Sequence, residues 1–120
     1  IDLPIARKED SIIERCVDSS RGERAITHYR RVSTTCLDGC EYSLVQIQLE
    51  TGRTHQIRVH MKAIGHPLPG DFLYNPNYKH IKRQALHSYR LEFTHPISGK
   101  ALSFTQNIPS DFESLFPTIQ

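Results

Sequence analysis

Seven side chains able to donate, accept or carry charge crowd the ten residues from Arg53 to Lys62: Arg53, Thr54, His55, Gln56, Arg58, His60 and Lys62. The set is polar and basic and holds no carboxylate, so this stretch can hold anions. The guanidinium of Arg58 suits a carboxylate or phosphate because its planar fork binds bidentately and keeps its proton. Arg53, His55 and Lys62 are candidate contacts to phosphate groups. Ile57, Met61 and Ile64 recur at helical spacing and predict a short amphipathic helix. Thr54 is its expected N-cap. Gly65 is the expected left-handed stop, and Pro67 forbids continuation. The plain alternative is an ordinary helix with solvated cations.

The elements that must aim these groups come from the flanking pattern. Leu49 closes a strand expected over about Tyr42 to Glu50, and Leu37-Asp38-Gly39 precedes it, with the residue pair that a type I′ hairpin prefers. The partner strand is expected from Ala25 to Thr34, where Ile26, His28, Arg30 and Val32 alternate with Ala25, Thr27, Tyr29 and Arg31 as in a half-exposed strand. Ala6 to Glu23 is polar and turn-rich and predicts a mobile connection. Gly65 to Lys82 is a long loop, and Phe72, Tyr74 and Tyr78 predict that it packs. Further strands are expected over Gln84 to Phe93 and Ala101 to Gln106, and a short helix near Pro109 to Phe116. The fold class is α+β, an antiparallel or mixed β-sheet with a short central helix.

Composition narrows the function classes. The chain has 120 residues, 38% hydrophobic and 23% charged, enough for one globular domain. No apolar run reaches the roughly 20 residues of a membrane helix, and no leader pattern opens the chain, so a cytoplasmic location and no membrane partner are expected. The formal charge is +2, yet the cations cluster at Arg21/Arg24, Arg30/Arg31, Arg53/Arg58/Lys62 and Lys79/Lys82/Arg83. Clustering permits a phosphate-tracking surface. The three cysteines are too few for a disulfide framework. Cys36-x3-Cys40 lacks a second ligand pair, so no metal is expected.

One resemblance covers nearly the whole chain. Arg53-Thr54-His55-Gln56-Ile57-Arg58-Val59-His60 looks like the RTHQ(I/L)RxH signature of the RluA-type pseudouridine synthases. Gly65-His66-Pro67 and Gly70-Asp71-Phe72-Leu73-Tyr74 are similar to its GHP and GDxxY continuation. Leu86-His87-Ser88 through Leu91-Glu92-Phe93-Thr94-His95-Pro96 resembles its LHAxxLxFxHP pattern, with Ser88 where Ala is usual. Ile108-Pro109-Ser110-Asp111-Phe112, Ile1-Asp2-Leu3-Pro4-Ile5 and Ala25-Ile26-Thr27-His28-Tyr29 resemble three further segments.

The resemblance implies half of a pseudouridine synthase fold, with residues 1–120 as the C-terminal part of the catalytic domain. The implied enzyme isomerises uridine in ribosomal or transfer RNA without cofactor or metal. Its catalytic Asp belongs to an HRLDxxTSG motif that is absent from this sequence. Arg58 matches the arginine expected to pair with that Asp. With the Asp missing, Arg58 is expected to be mobile or anion-bound. Arg53, His55 and Lys62 would meet RNA, with holding the turn an equal alternative for Arg53 and His55, and Leu49 or Ile57 would floor the pocket. His60 and His87 are expected to be buried and satisfied, and Asp71 to fix its loop. This chain alone is expected to be inactive and to self-associate; the alternative is a non-catalytic RNA-binding module.

Overall fold

The computed structural model describes residues 1–116, which fall into two compact units, one of Ile1–Ala85 and one that begins at Leu86. The fold is α+β, and among the described residues every strand pairing is antiparallel. In place of one sheet there are three separate two-stranded ribbons.

In the first unit, β1 (Ile5–Arg7) pairs with β2 (Arg15–Val17), with Ile5 opposite Val17 and Arg7 opposite Arg15. The segment expected to be a mobile connection is therefore an ordered hairpin. Asp18 anchors its far side, accepting from the N–H groups of Ser20 and Arg21 and from the Arg21 guanidinium. These local bonds supply the order that hydrophobic patterning does not announce.

The longer ribbon joins β3 (Thr27–Leu37) to β4 (Cys40–Leu49). Asp38 and Gly39 take φ values of 51° and 78° and close a two-residue loop between paired Leu37 and Cys40. Positive φ at both central positions is the type I′ geometry, whose twist matches that of the strands. A register shift at Val32 marks a bulge. The alternating side chains of β3 do not separate into buried and exposed faces. Thr27 is buried, whereas Tyr29 is 48% and Val32 53% exposed, because a ribbon of two strands has too little sheet to cover a face. At the tip, His80 is clamped between two groups: Tyr42 Oη lies 2.7 Å from its Nδ1, and Asp38 Oδ2 lies 2.8 Å from its Nε2.

The helix α1 (Gln56–Ala63) packs on β2 and β3. It is about 12 Å long at 1.5 Å per residue. Gly65, at φ 86°, closes its C-terminus: His66 N–H reaches Met61 O and Gly65 N–H reaches Lys62 O, the two bonds of a Schellman motif. The core of the unit gathers Ile5, Ala25, Val59 and Tyr74.

The second unit contains β5 (Arg90–Thr94), paired with β6 (Ala101–Thr105), and α2 (Ser110–Leu115). The third expected strand starts six residues later than its pattern suggested. Phe93 and Phe104 stack at 6.0 Å between ring centroids, and Leu91, Phe93 and Phe104 are all exposed. His87 departs from expectation: it is half-buried, and its Nε2 has no hydrogen-bond partner among the described residues.

Candidate functional site

The turn before α1 is held by one amide. Gln56 is 3% exposed. Its Oε1 accepts from the backbone N–H of Arg53 at 2.9 Å and from the Thr51 hydroxyl at 2.7 Å. Its Nε2 donates to Ile26 O and to Thr27 Oγ1. Thr51 Oγ1 in turn accepts from Ile26 N–H at 2.9 Å. A four-group junction of this kind joins the turn to β3 and leaves no donor of the amide unmet. Thr54 does not cap the helix; the capping position is His55, in a left-handed conformation at φ 57° with no side-chain cap. Gln56 has taken over the closing role expected of Thr54, by reaching back to Arg53 N–H.

His60 lies at the centre of a second chain of bonds. It is fully buried, with Nδ1 2.8 Å from Thr27 Oγ1 and Nε2 2.7 Å from Leu3 O. A carbonyl only accepts, so Nε2 carries the proton and Nδ1 accepts from the Thr27 hydroxyl. His60 is thus the satisfied structural histidine that its apolar setting predicted.

Arg58 is not the free guanidinium expected. Its Nε and Nη2 donate to Asp71 Oδ2 and Oδ1, both at 2.8 Å, and the two side chains are 10% and 0% exposed. Its carbon Cζ also sits 5.0 Å from the centroid of the Tyr74 ring and 5.6 Å from that of Phe72. The physical reason is local. Gly70, at φ 75°, turns the chain where a Cβ would lie 2.1 Å from Arg83 O, and so delivers Asp71 under the helix. Asp71 Oδ1 also accepts from the N–H groups of Leu73 and Tyr74, which fixes the loop as expected of that residue. Burial would raise the Asp71 carboxyl, but the fork from Arg58 and the two N–H groups outweigh it and hold it below the usual carboxylate range.

His55 is also committed inward. Its Nδ1 lies 2.8 Å from Tyr74 Oη, which accepts from the backbone N–H of Arg15 at 2.8 Å. The hydroxyl therefore donates to Nδ1. Burial first, and then the charges of Arg58 and Arg15, depress the His55 pKa, so the ring stays neutral. Its side chain ties helix start, loop and β2 together. The Tyr74 hub is legible afterwards in the Gly70-Asp71-x-x-Tyr74 spacing, whose two polar ends serve Arg58 and His55.

Arg53 is placed differently. Its Nε donates to Arg24 O at 2.8 Å and its Nη1 meets Glu23 at 2.8 Å, with the side chains 41% and 70% exposed. It lines an open cleft of about 440 Å³ with Arg7, Arg15, Arg21, Glu23 and Thr54. Lys62 is exposed and lies 5.8 Å from the Tyr74 ring centroid. Leu49 is 45% exposed and Ile57 half-buried, and neither lines the cleft. The site residues thus divide into an inward set, Gln56, Arg58, His60 and His55, and an outward set, Arg53 and Lys62. Arg7 and Arg15 were missed because their hairpin read as a linker.

A family model described as RNA pseudouridylate synthase matches residues 1–63. A Bacillus subtilis protein named as the uncharacterized RNA pseudouridine synthase YjbO is 48% identical over 96% of this chain and 39% of its own length. The ribosomal large subunit pseudouridine synthase D of Zymomonas mobilis is 44% identical over 97% of this chain and 38% of its own. The solved structure of human RNA pseudouridylate synthase domain containing 1 superposes with a TM-score of 0.78 at 28% identity, over 96% of this chain and 49% of that one. The chain spans under two-fifths of the length of these two curated relatives.

Proposed function

The chain belongs to the RNA pseudouridylate synthase family, and from that premise we propose that residues 1–120 form the C-terminal part of a catalytic domain that isomerises uridine to pseudouridine in RNA. The observation that carries the reading is the Arg53–His60 block. It folds as a turn locked by Gln56 and a helix start, with Arg53 delivered to an open cleft. In the chemistry that the resemblance implies, an Asp carboxylate attacks the ribose or assists glycosidic cleavage, and the uracil rotates and rejoins through carbon 5. Such a carboxylate must stay ionised in a closed pocket, and a fixed cation offsets the desolvation that would protonate it.

Arg58 was the expected cation, but its fork is occupied by Asp71 in a buried pair. Arg53 is a second candidate for the role, open to the cleft. Its link to Glu23 is a surface ion pair, worth under about 1 kcal/mol, and readily exchanged for a carboxylate in a drier setting. Arg58 then acts at one remove, holding the loop that carries Tyr74. Lys62 remains a candidate contact to RNA phosphate, whereas the inward bond of His55 argues against that role for it. Leu49 and Ile57 would offer apolar contact to a base. Ribosomal RNA is the favoured substrate, since relatives carry ribosomal large subunit names; a cytoplasmic site of action follows. Among the described residues no helix is long and apolar enough to cross a membrane. The exposed Leu91, Phe93 and Phe104 support self-association.

Tritium release from RNA carrying 5-tritiated uridine tests the proposal. A longer reading frame with an HRLDxxTSG motif upstream of Ile1 is expected to release tritium, and Arg53→Ala within it to lose about 10²-fold or more in rate. The 120-residue chain is expected to release none. Release by that chain would overturn the argument from the missing nucleophile. RNA binding without release by the longer protein would instead select a non-catalytic binding module.

A further inference from the structure

We propose that the β1–β2 ribbon and the turn at Arg53 form a cradle for phosphodiester groups of an RNA strand, with Arg7 and Arg15 as its recruiting cations. The inference rests on the reading of this chain as part of an RNA-modifying enzyme, and adds to it a binding site that extends beyond the Arg53–His60 block. The residues lining the cleft of about 440 Å³ include four arginines, Arg7, Arg15, Arg21 and Arg53, and one acid, Glu23. That volume lies within the roughly 300–1,000 Å³ of ligand sites.

Two of the four cations are balanced. Arg21 meets Asp18 at 2.9 Å, and Arg53 meets Glu23 at 2.8 Å. The other two are not. Arg7 has no hydrogen bond or ion pair among the described residues. Arg15 directs Nη1 to the carbonyls of Ile12, Ile13 and Glu14, at 3.1–3.3 Å, and finds no carboxylate. Those carbonyls fix the Arg15 fork while leaving its charge uncompensated, and its Nε and Nη2 keep no partner among the described residues.

Register makes the arrangement costly. Arg7 and Arg15 are directly opposed across the antiparallel ribbon, so their side chains rise from the same face. The backbone N–H of Arg15 goes to Tyr74 Oη, so the two residues form a non-hydrogen-bonded rung, the kind with the closer side chains. Like charges opposed in this way destabilise a ribbon. The next rung shows the opposite choice: Lys8 and Glu14, on the other face, form an ion pair of 2.8 Å. A phosphate lying between Arg7 and Arg15 converts the repulsion into two charge-assisted contacts, and the arginine fork matches its oxygens. Arg53 lines the same cleft and would place the strand beside the proposed reaction centre.

The test measures binding of a fluorescein-labelled single-stranded RNA oligonucleotide to the 120-residue chain by anisotropy, across a series of KCl concentrations. Wild type is compared with Arg7→Gln, Arg15→Gln, the double variant, and Lys100→Gln in the exposed β5–β6 turn as a charge-matched control. Each lost phosphate contact lowers the salt slope of log K by about 0.7, so the double variant is expected to lose about 1.4, and the control nothing. Arg7→Gln has no internal contact to lose. It is expected to raise the Tm in phosphate-free, low-salt buffer while weakening RNA binding, which a merely structural arginine would not do. Inorganic phosphate is expected to raise the Tm of wild type more than that of the double variant. An unchanged slope in the double variant, or an equal fall in the Lys100→Gln control, would overturn the cradle. So would absence of RNA binding by a chain whose longer form releases tritium, and that result would leave the enzyme reading standing. Loss of tritium release with the arginine-dependent slope intact would sink the enzyme reading and keep the cradle.

Discussion

Replacing Asp71 with Ala is the most informative perturbation of this structure. It leaves the Arg58 guanidinium 10% exposed with no acid within reach, and deprives the N–H groups of Leu73 and Tyr74 of their acceptor. Removing one partner of a buried ion pair costs about 3–5 kcal/mol, a large part of the 5–15 kcal/mol that stabilises a typical domain. Asp71→Asn keeps an acceptor for both N–H groups and one for Arg58, and gives up the charge, for a loss of about 1.5–3 kcal/mol. Combining Asp71→Asn with Arg58→Met removes both charges and keeps the loop acceptor, so it should be less damaging than Asp71→Ala. Urea unfolding followed by tyrosine fluorescence gives the energies, and hydrogen exchange at the Leu73 and Tyr74 amides localises them. A loss below about 1 kcal/mol for Asp71→Ala would show that the pair behaves as a surface ion pair. A double variant no better than Asp71→Ala would refute the argument from an uncompensated buried charge. The pH dependence carries the same sign. The Asp71 pKa is depressed in the fold, so below its unfolded value of about 3.9 the unfolded chain binds more protons. The contribution of the pair is therefore full above about pH 4 and declines as pH falls further.

The His55 pKa is also depressed, and its unfolded value is near 6.5; stability should therefore decline as pH falls below about 6.5, and His55→Gln should flatten that limb in thermal melts. Gly70→Ala must adopt φ 75° and place its Cβ 2.1 Å from Arg83 O, so it should destabilise by more than about 1 kcal/mol in urea and loosen the Asp71 loop. Sedimentation velocity should show the chain associating as concentration rises, and Phe104→Ser should weaken association; a monomer at every concentration would exclude the exposed ribbon as a contact surface.

The sequence carried the local chemistry better than the pairings. The Asp38-Gly39 turn and the Gly65 stop follow from backbone preference, and the structure has both. The role expected of Arg58 depended on which carboxylate reached it. Asp71 lies 13 residues away, beyond any helical or turn spacing, and only the path of the loop through Gly70 brings the two together. The inward bond of His55 was not legible for a related reason, since its hydroxyl partner is 19 residues distant. The β1–β2 hairpin escaped because three-residue strands are too short for alternation to register. The separate ribbons were not anticipated either, since alternation along β3 and β4 describes each strand and not how many neighbours it has.

Two strands standing alone are marginal in water, and the outer half of the β3–β4 ribbon has little beneath it. What steadies that end is the imidazole of His80, moored to Tyr42 on one side and Asp38 on the other. The moored tip and its mooring belong to segments about forty positions apart, so neither can fray without releasing the other. Hairpin end and distant loop should open and close as a single latch, and wherever the ribbon swings, residues 79–82 swing with it.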